Sequence, residues 1–143
     1  MSIFGKSEGG GGSGGSKSDL YNDFLQSEGY TTEVDDDGDI TFKLEGGNYF
    51  LFAQEADREY FTVVFPNFWP IESEDERTAT YIACCHATAD TKGAKVYPLG
   101  DNICASIELF FGEPEDFKPV FKRAMSTVQS AVAKFAEKMR ELT

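Results

Sequence analysis

From Thr31 to Phe65 the chain, TTEVDDDGDITFKLEGGNYFLFAQEADREYFTVVF, trades apolar and polar side chains at every second position, with breaks at Asp36-Asp37-Gly38, Gly46-Gly47 and residues 55–58. A period of two interrupted by turn formers predicts successive hairpins and an antiparallel meander. One strand alternates cleanly: Ile40, Phe42 and Leu44 face one way, Thr41, Lys43 and Glu45 the other, as when one sheet face meets water. Its neighbours do not. Tyr49 and Leu51 stand against Phe50 and Phe52, and Tyr60 and Val64 against Phe61, Val63 and Phe65, so these strands call for cover on both faces.

Elsewhere the spacing changes to three and four. SDLYNDFLQSEGY predicts a short helix with Ser18 or Asp19 as N-cap, Leu20, Phe24 and Leu25 on one face, and an end near Gly29. After PNFWPIESEDE, which reads as a loop, a helix is predicted over Arg77 to Asp90 with negative charge at its amino end, stopping before Gly93. A hairpin around Pro98–Asp101 follows, with Ile103, Ala105, Ile107 and Leu109 alternating. The last segment places Phe117, Phe121, Ala124, Val128, Val132, Phe135, Met139 and Leu142 on one stripe, a long helix started near Pro114 or kinked at Pro119. The order α-β-β-β-β-α-β-β-α describes an α+β domain, a twisted antiparallel sheet of about five to six strands packed with three helices. If the middle and last helices share a face, the opposite face is expected to meet a partner, most simply a second copy in a homodimer.

With 143 residues and 41% hydrophobic content the chain can bury one core, assigned to residues 19–143. Residues 1–18, rich in Gly and Ser, read as a flexible tail. Gly10, Gly12 and Gly15 imitate G-x-G-x-x-G, and Gly5-Lys6-Ser7 the end of a P-loop, but neither follows a strand. A net charge of −12 opposes binding to nucleic acid or anionic membranes. No apolar run approaches the roughly 18 to 20 residues that span a bilayer, and a cytoplasmic protein without membrane association is expected. Three cysteines match no secreted framework and are expected to be reduced.

The stretch IACCHAT holds Cys84, Cys85 and His86, and Cys104 follows later. Helical neighbours diverge by about 100°, so Cys85 and His86 form no dyad with each other; His86 and Asp90 share a face without an evident nucleophile. Structural zinc takes four ligands, often in spaced pairs, and this set offers no such pattern. Ile82, Cys85 and Ala89 instead suggest a packing stripe. In EVDDDGD, residues Glu33, Asp35, Asp37 and Gly38 fit the first half of a calcium loop, but Leu44 stands where the bidentate carboxylate belongs, so a hairpin turn is expected. Glu72, Glu74, Asp75 and Glu76 read as loop and helix start before partner surface. NFWP, with Trp69, is either an interface anchor or a core plug. No catalytic residue, metal site or cofactor is expected.

GDITFKLEGGNYFLF, YFTVVFPNFWPI, AKVYPLGDNICASIELFF and the Phe-rich last helix resemble the YbjN family of bacterial sensory transduction regulators, whose fold is similar to that of type III secretion chaperones, over Leu20 to Leu142. The resemblance implies a sandwich of helices and twisted sheet, commonly homodimeric, with no enzymatic activity. The resulting expectation is a non-enzymatic cytoplasmic protein-binding module, regulatory or chaperone-like, acting as a homodimer through Phe50, Phe52, Phe61, Phe65 and Trp69. The alternative is a thiol- or metal-dependent protein centred on Cys84, Cys85, His86 and Cys104.

Overall fold

Alternation and turn chemistry produce the sheet, and stripes of three and four produce the helices, in a computed structural model that describes residues 15–143. The elements are α1 Lys17–Ser27, β1 Thr32–Val34, β2 Ile40–Leu44, β3 Gly47–Leu51, β4 Tyr60–Pro70, α2 Glu74–Ala89, β5 Ala94–Leu99, β6 Asn102–Phe110 and α3 Phe121–Leu142. The six strands make one open antiparallel sheet in the order β1-β2-β3-β4-β6-β5, so the fold is the expected α+β arrangement. The chain divides into two compact units: residues up to Val63 with Leu109–Val120, and Val64–Glu108 with Phe121–Thr143.

In the first unit, β2 and β3 pair with Ile40 opposite Leu51 and Phe42 opposite Tyr49, and these four side chains are buried. Phe117 lies in the 3-10 turn Pro114–Val120 and packs edge-on against Tyr21 at 4.8 Å and Phe24 at 4.9 Å, and stacks on Phe61 at 5.6 Å. The two prolines thus end one segment before α3 begins at Phe121. Helix α1 starts earlier than the sequence suggests. Its N-cap is Ser16, whose Oγ accepts from the Asp19 N–H at 3.0 Å, in place of Ser18 or Asp19. Lys17 belongs to the helix and is fully buried; residues 1–14 of the Gly/Ser segment, with most of its motif look-alikes, lie outside the described residues. The helix ends as expected: Gly29, at φ 94°, lets its own N–H reach Gln26 O and the Tyr30 N–H reach Leu25 O.

In the second unit, α2 packs against α3 and β5. Ser73 caps α2 by accepting from the Glu76 N–H, and Glu74, Asp75 and Glu76 occupy the first turn, where negative charge complements the helix dipole. The helix therefore begins three residues before Arg77. The segment NFWP is not a loop: β4 continues through Pro66 to Pro70. Asn67 absorbs the irregularity with a left-handed φ of 53°, a region Asn tolerates, and its N–H goes to Cys104 Sγ at 3.4 Å. The α3 stripe is buried at Phe121, Ala124, Val128, Phe135 and Met139, joined by Met125 and Ala131, while Leu142 is exposed.

The α2 face runs differently from the expected stripe. Thr80 and Cys84 with Ala79, Ala83 and Ala87 are buried, whereas Ile82, Cys85 and Ala89 are exposed. Small side chains at steps of four make up the buried face of α2, and the bulkier Ile82 is left outside.

Candidate functional site

The first unit carries an aromatic surface built from alternate positions of neighbouring strands. With Tyr49 and Leu51 in the core, Phe50 and Phe52 point to the other side of β3, where their rings stack at 5.8 Å and are half-buried. The Phe52 N–H donates to Thr62 O, and the Phe111 N–H to Glu59 O at 2.8 Å, which brings the start of β4 beside the end of β6. Tyr60 and Phe110 consequently pair at 5.7 Å, and Phe110 is 71% exposed. The Thr62 hydroxyl, on the same side of β4 as Tyr60, is buried without a hydrogen-bond partner.

Of the five expected contact residues, Phe50 and Phe52 lie together on this surface. Phe61 does not: it is 1% exposed, enclosed by Tyr21, Phe111 and Phe117, because its side of β4 faces the α1 side of the sheet. Phe65 and Trp69 form a second cluster, in the other unit. Phe65 stacks on Phe68 at 5.5 Å, and Phe68 and Trp69 both meet Phe135 of α3 edge-on. Trp69 is half-buried, and its Nε1 donates to Glu76 Oε2 at 3.0 Å. Tyr60 and Phe110 were outside the expected set. The signal for Phe110 was present: inward Ile103, Ala105, Ile107 and Leu109 leave residue 110 pointing outward.

The cysteine stretch is split by the helix. Cys84 is buried and its thiol is pushed up to about 12, first by burial and then by the neighbouring Cys85 and Cys104 thiols. Cys104 is also buried, engaged by Asn67 through the backbone N–H and, at 3.7 Å, the side-chain Oδ1. Cys85 is exposed and lines an apolar groove of 580 Å³ together with Tyr81, Thr88, Val96 and Pro98. Strand β5 is a sheet edge, and the Thr88 hydroxyl closes it at one point by accepting from the Val96 N–H at 2.9 Å and donating to Val96 O. His86 is exposed, and Asp90 turns to Lys134 at 3.4 Å. Packing therefore describes Cys84 and Cys104, and does not describe Cys85.

Among the described residues, the one group of His, Cys, Asp and Glu side chains whose ligand atoms lie within 4.8 Å of one another is Asp35, Asp37 and Asp39. Two of these carboxylate oxygens serve the turn between β1 and β2. Asp35 Oδ1 accepts from the Asp37 and Asp39 N–H groups, and Asp39 Oδ1 accepts from Ala53 N–H at 2.8 Å. Burial raises the Asp39 carboxyl, opposed by that Ala53 bond. The chain then runs into β2, with half-buried Leu44 at its end. The segment is a hairpin turn.

No protein-family model matches the chain, and no curated protein matches it. No helix among the described residues is long and apolar enough to cross a membrane.

Proposed function

We propose that the chain is a non-enzymatic cytoplasmic protein-binding module, regulatory or chaperone-like, that acts as a homodimer; the dimer and the lack of enzymatic activity are what the YbjN resemblance implies. The observation that carries this reading is the aromatic surface of Phe50, Phe52, Tyr60 and Phe110, with Phe110 71% exposed. Fully burying one such ring stabilises a contact by about 1.5–3 kcal/mol. Four adjacent rings on a sheet face therefore supply a compact apolar anchor. A net charge of −12 makes two copies repel at long range, so association has to come from apolar burial and tightens as salt screens the charge.

Analytical ultracentrifugation tests the reading at micromolar concentration. The expected result is a dimer whose affinity rises between low and moderate salt and falls at least about tenfold in Phe110→Ser, a change at a solvent-facing position that leaves the core intact. A monomeric wild type that binds no apolar dye would overturn the proposal. So would a dimer indifferent to Phe110→Ser and Phe50→Ser together.

A further inference from the structure

In the second unit a recess of 340 Å³ opens where the carboxyl end of α2 meets the solvent side of α3. That volume lies within the range of small-ligand sites, about 300–1,000 Å³. Along α3, Arg123, Thr127, Ser130 and Lys134 recur at steps of three and four and so share one face. Asp90, Thr91 and Lys92 come from the turn after α2 and close the opposite wall.

The electrostatics of the recess run against those of the chain. Lys134 Nζ donates to Asp90 O and stands 3.4 Å from the Asp90 carboxylate, offsetting both that charge and the negative end of α2. Lys92 and Arg123 are exposed and have no ion-pair partner among the described residues. In a chain with 25 acidic and 13 basic residues, two unpaired cations bordering one recess are a local reversal of sign.

A second observation is independent of charge. Thr91 lines this recess, and its hydroxyl oxygen is buried with no hydrogen-bond partner. A buried polar atom left unpaired calls for a partner that the folded chain itself does not provide. Ser126 and Thr127 already donate to Arg123 O, at 3.0 and 2.7 Å, and so offer only acceptor capacity. The remaining groups, the Arg123 guanidinium, the Lys92 ammonium, and the Thr91 and Ser130 hydroxyls, are donors.

We propose that this recess binds a small phosphate monoester. A guanidinium matches two phosphate oxygens at once, an ammonium serves as a point charge, and the hydroxyls complete a donor set larger than a single carboxylate uses. Repulsion from the distant carboxylates is screened beyond about 8–10 Å at ordinary salt, so the local charge governs.

The test titrates the full chain with inorganic phosphate and with glycerol phosphate, at ionic strength held constant with chloride, and follows backbone amide signals. Both anions are expected to shift the signals of Thr91, Lys92 and Arg123. Affinity is expected to fall at least about tenfold in the R123Q/K92Q double variant. These side chains are solvent-facing, and an unchanged melting temperature verifies the fold. Thr91→Val, which removes the buried hydroxyl, should weaken binding at least about threefold while Arg123 and Lys92 remain. Absence of any shift beyond that of chloride, or equal affinity in the double variant, would overturn the proposal. Binding of inorganic phosphate without the ester would overturn the ester assignment.

Discussion

Lys17 Nζ donates to the carbonyl of Tyr60 at 2.7 Å and to that of Asp57 at 2.9 Å, tying the first turn of α1 to the loop that leads into β4. The ammonium also lies 5.6 Å from the Tyr21 ring centre, and the Lys17 N–H donates to the Glu55 carboxylate. Burial lowers the Lys17 pKa from its ordinary value, against the pull of Glu55 and Asp57. A charge held in this way is structural.

Lys17→Ala leaves two carbonyls without their donor. Urea denaturation should register a loss on the order of 2–3 kcal/mol with little change in m. Limited proteolysis should also find the loop of residues 55–59 more readily. A chain begun at Asp19 loses the same anchor and should show a similar deficit. Wild-type stability in either variant would show that Lys17 merely occupies the site.

Trp69 is tied to the start of α2. Glu76 takes the Trp69 Nε1–H on one oxygen and the Glu72 N–H on the other, at 2.8 Å, while Ser73 accepts from the Glu76 N–H. This is a variant of the capping box in which the Glu76 carboxylate takes the N–H of the residue before the cap and also reaches the strand. Trp69→Phe keeps the ring against Phe135 and loses one hydrogen bond, so denaturation should show a cost of about 1 kcal/mol with the oligomeric state unchanged. Trp69→Ala also loses the ring contact and should cost about 3 kcal/mol. If Trp69→Phe instead dissociated the protein without altering its stability, Trp69 would be an interface anchor and not a packing residue.

How much of this was readable in the chain depended on which residues do the packing. Strand β2 could be read because Ile40 and Phe42 alternate with polar partners and one face is wet. The phase of α2 could not, because Ala79, Ala83 and Ala87 make up its buried face with weak hydrophobicity while the larger Ile82 faces out. Proline misled at Pro66 and Pro70, where a left-handed Asn67 allows the strand to continue. Lys17 looked like part of a polar tail, since its partners are carbonyls about forty positions away and leave no trace in composition. Alternation placed Phe50 and Phe61 on defined sides of their strands, but only the packing of Phe117 showed which side is enclosed. The recess around Thr91 joins segments more than thirty positions apart, and no local pattern announces it.

The three thiols should separate by access. Cys85 is exposed, while Cys84 and Cys104 are buried. A chromogenic disulfide reagent at neutral pH should react promptly with one thiol per chain, and with all three after denaturant is added. Cys85→Ser should abolish the prompt phase. Prompt release from two or three thiols in the native protein would contradict the burial of Cys84 and Cys104.

The buried Cys84 thiol also sets a pH dependence. Its ordinary pKa of 9.0 is raised to about 12, so the unfolded chain gives up this proton well before the folded one. Between those two values the native state binds more protons than the unfolded state, and stability declines as pH rises; below 9 the contribution is fully present. Tyr21, raised from 10.0 chiefly by burial, adds to the decline above that pH. Lys17 acts in the opposite sense: its lowered pKa means the unfolded state keeps the proton longer, so its contribution grows with pH up to 10.5. Cys84→Ala removes only the first of these effects. Comparing urea denaturation of wild type and variant above pH 9, the wild-type stability should fall more steeply by up to about 1.4 kcal/mol per pH unit, the value for one proton. Equal slopes in the two proteins would mean that Cys84 ionises in the native state as readily as in the unfolded chain, which is incompatible with its burial.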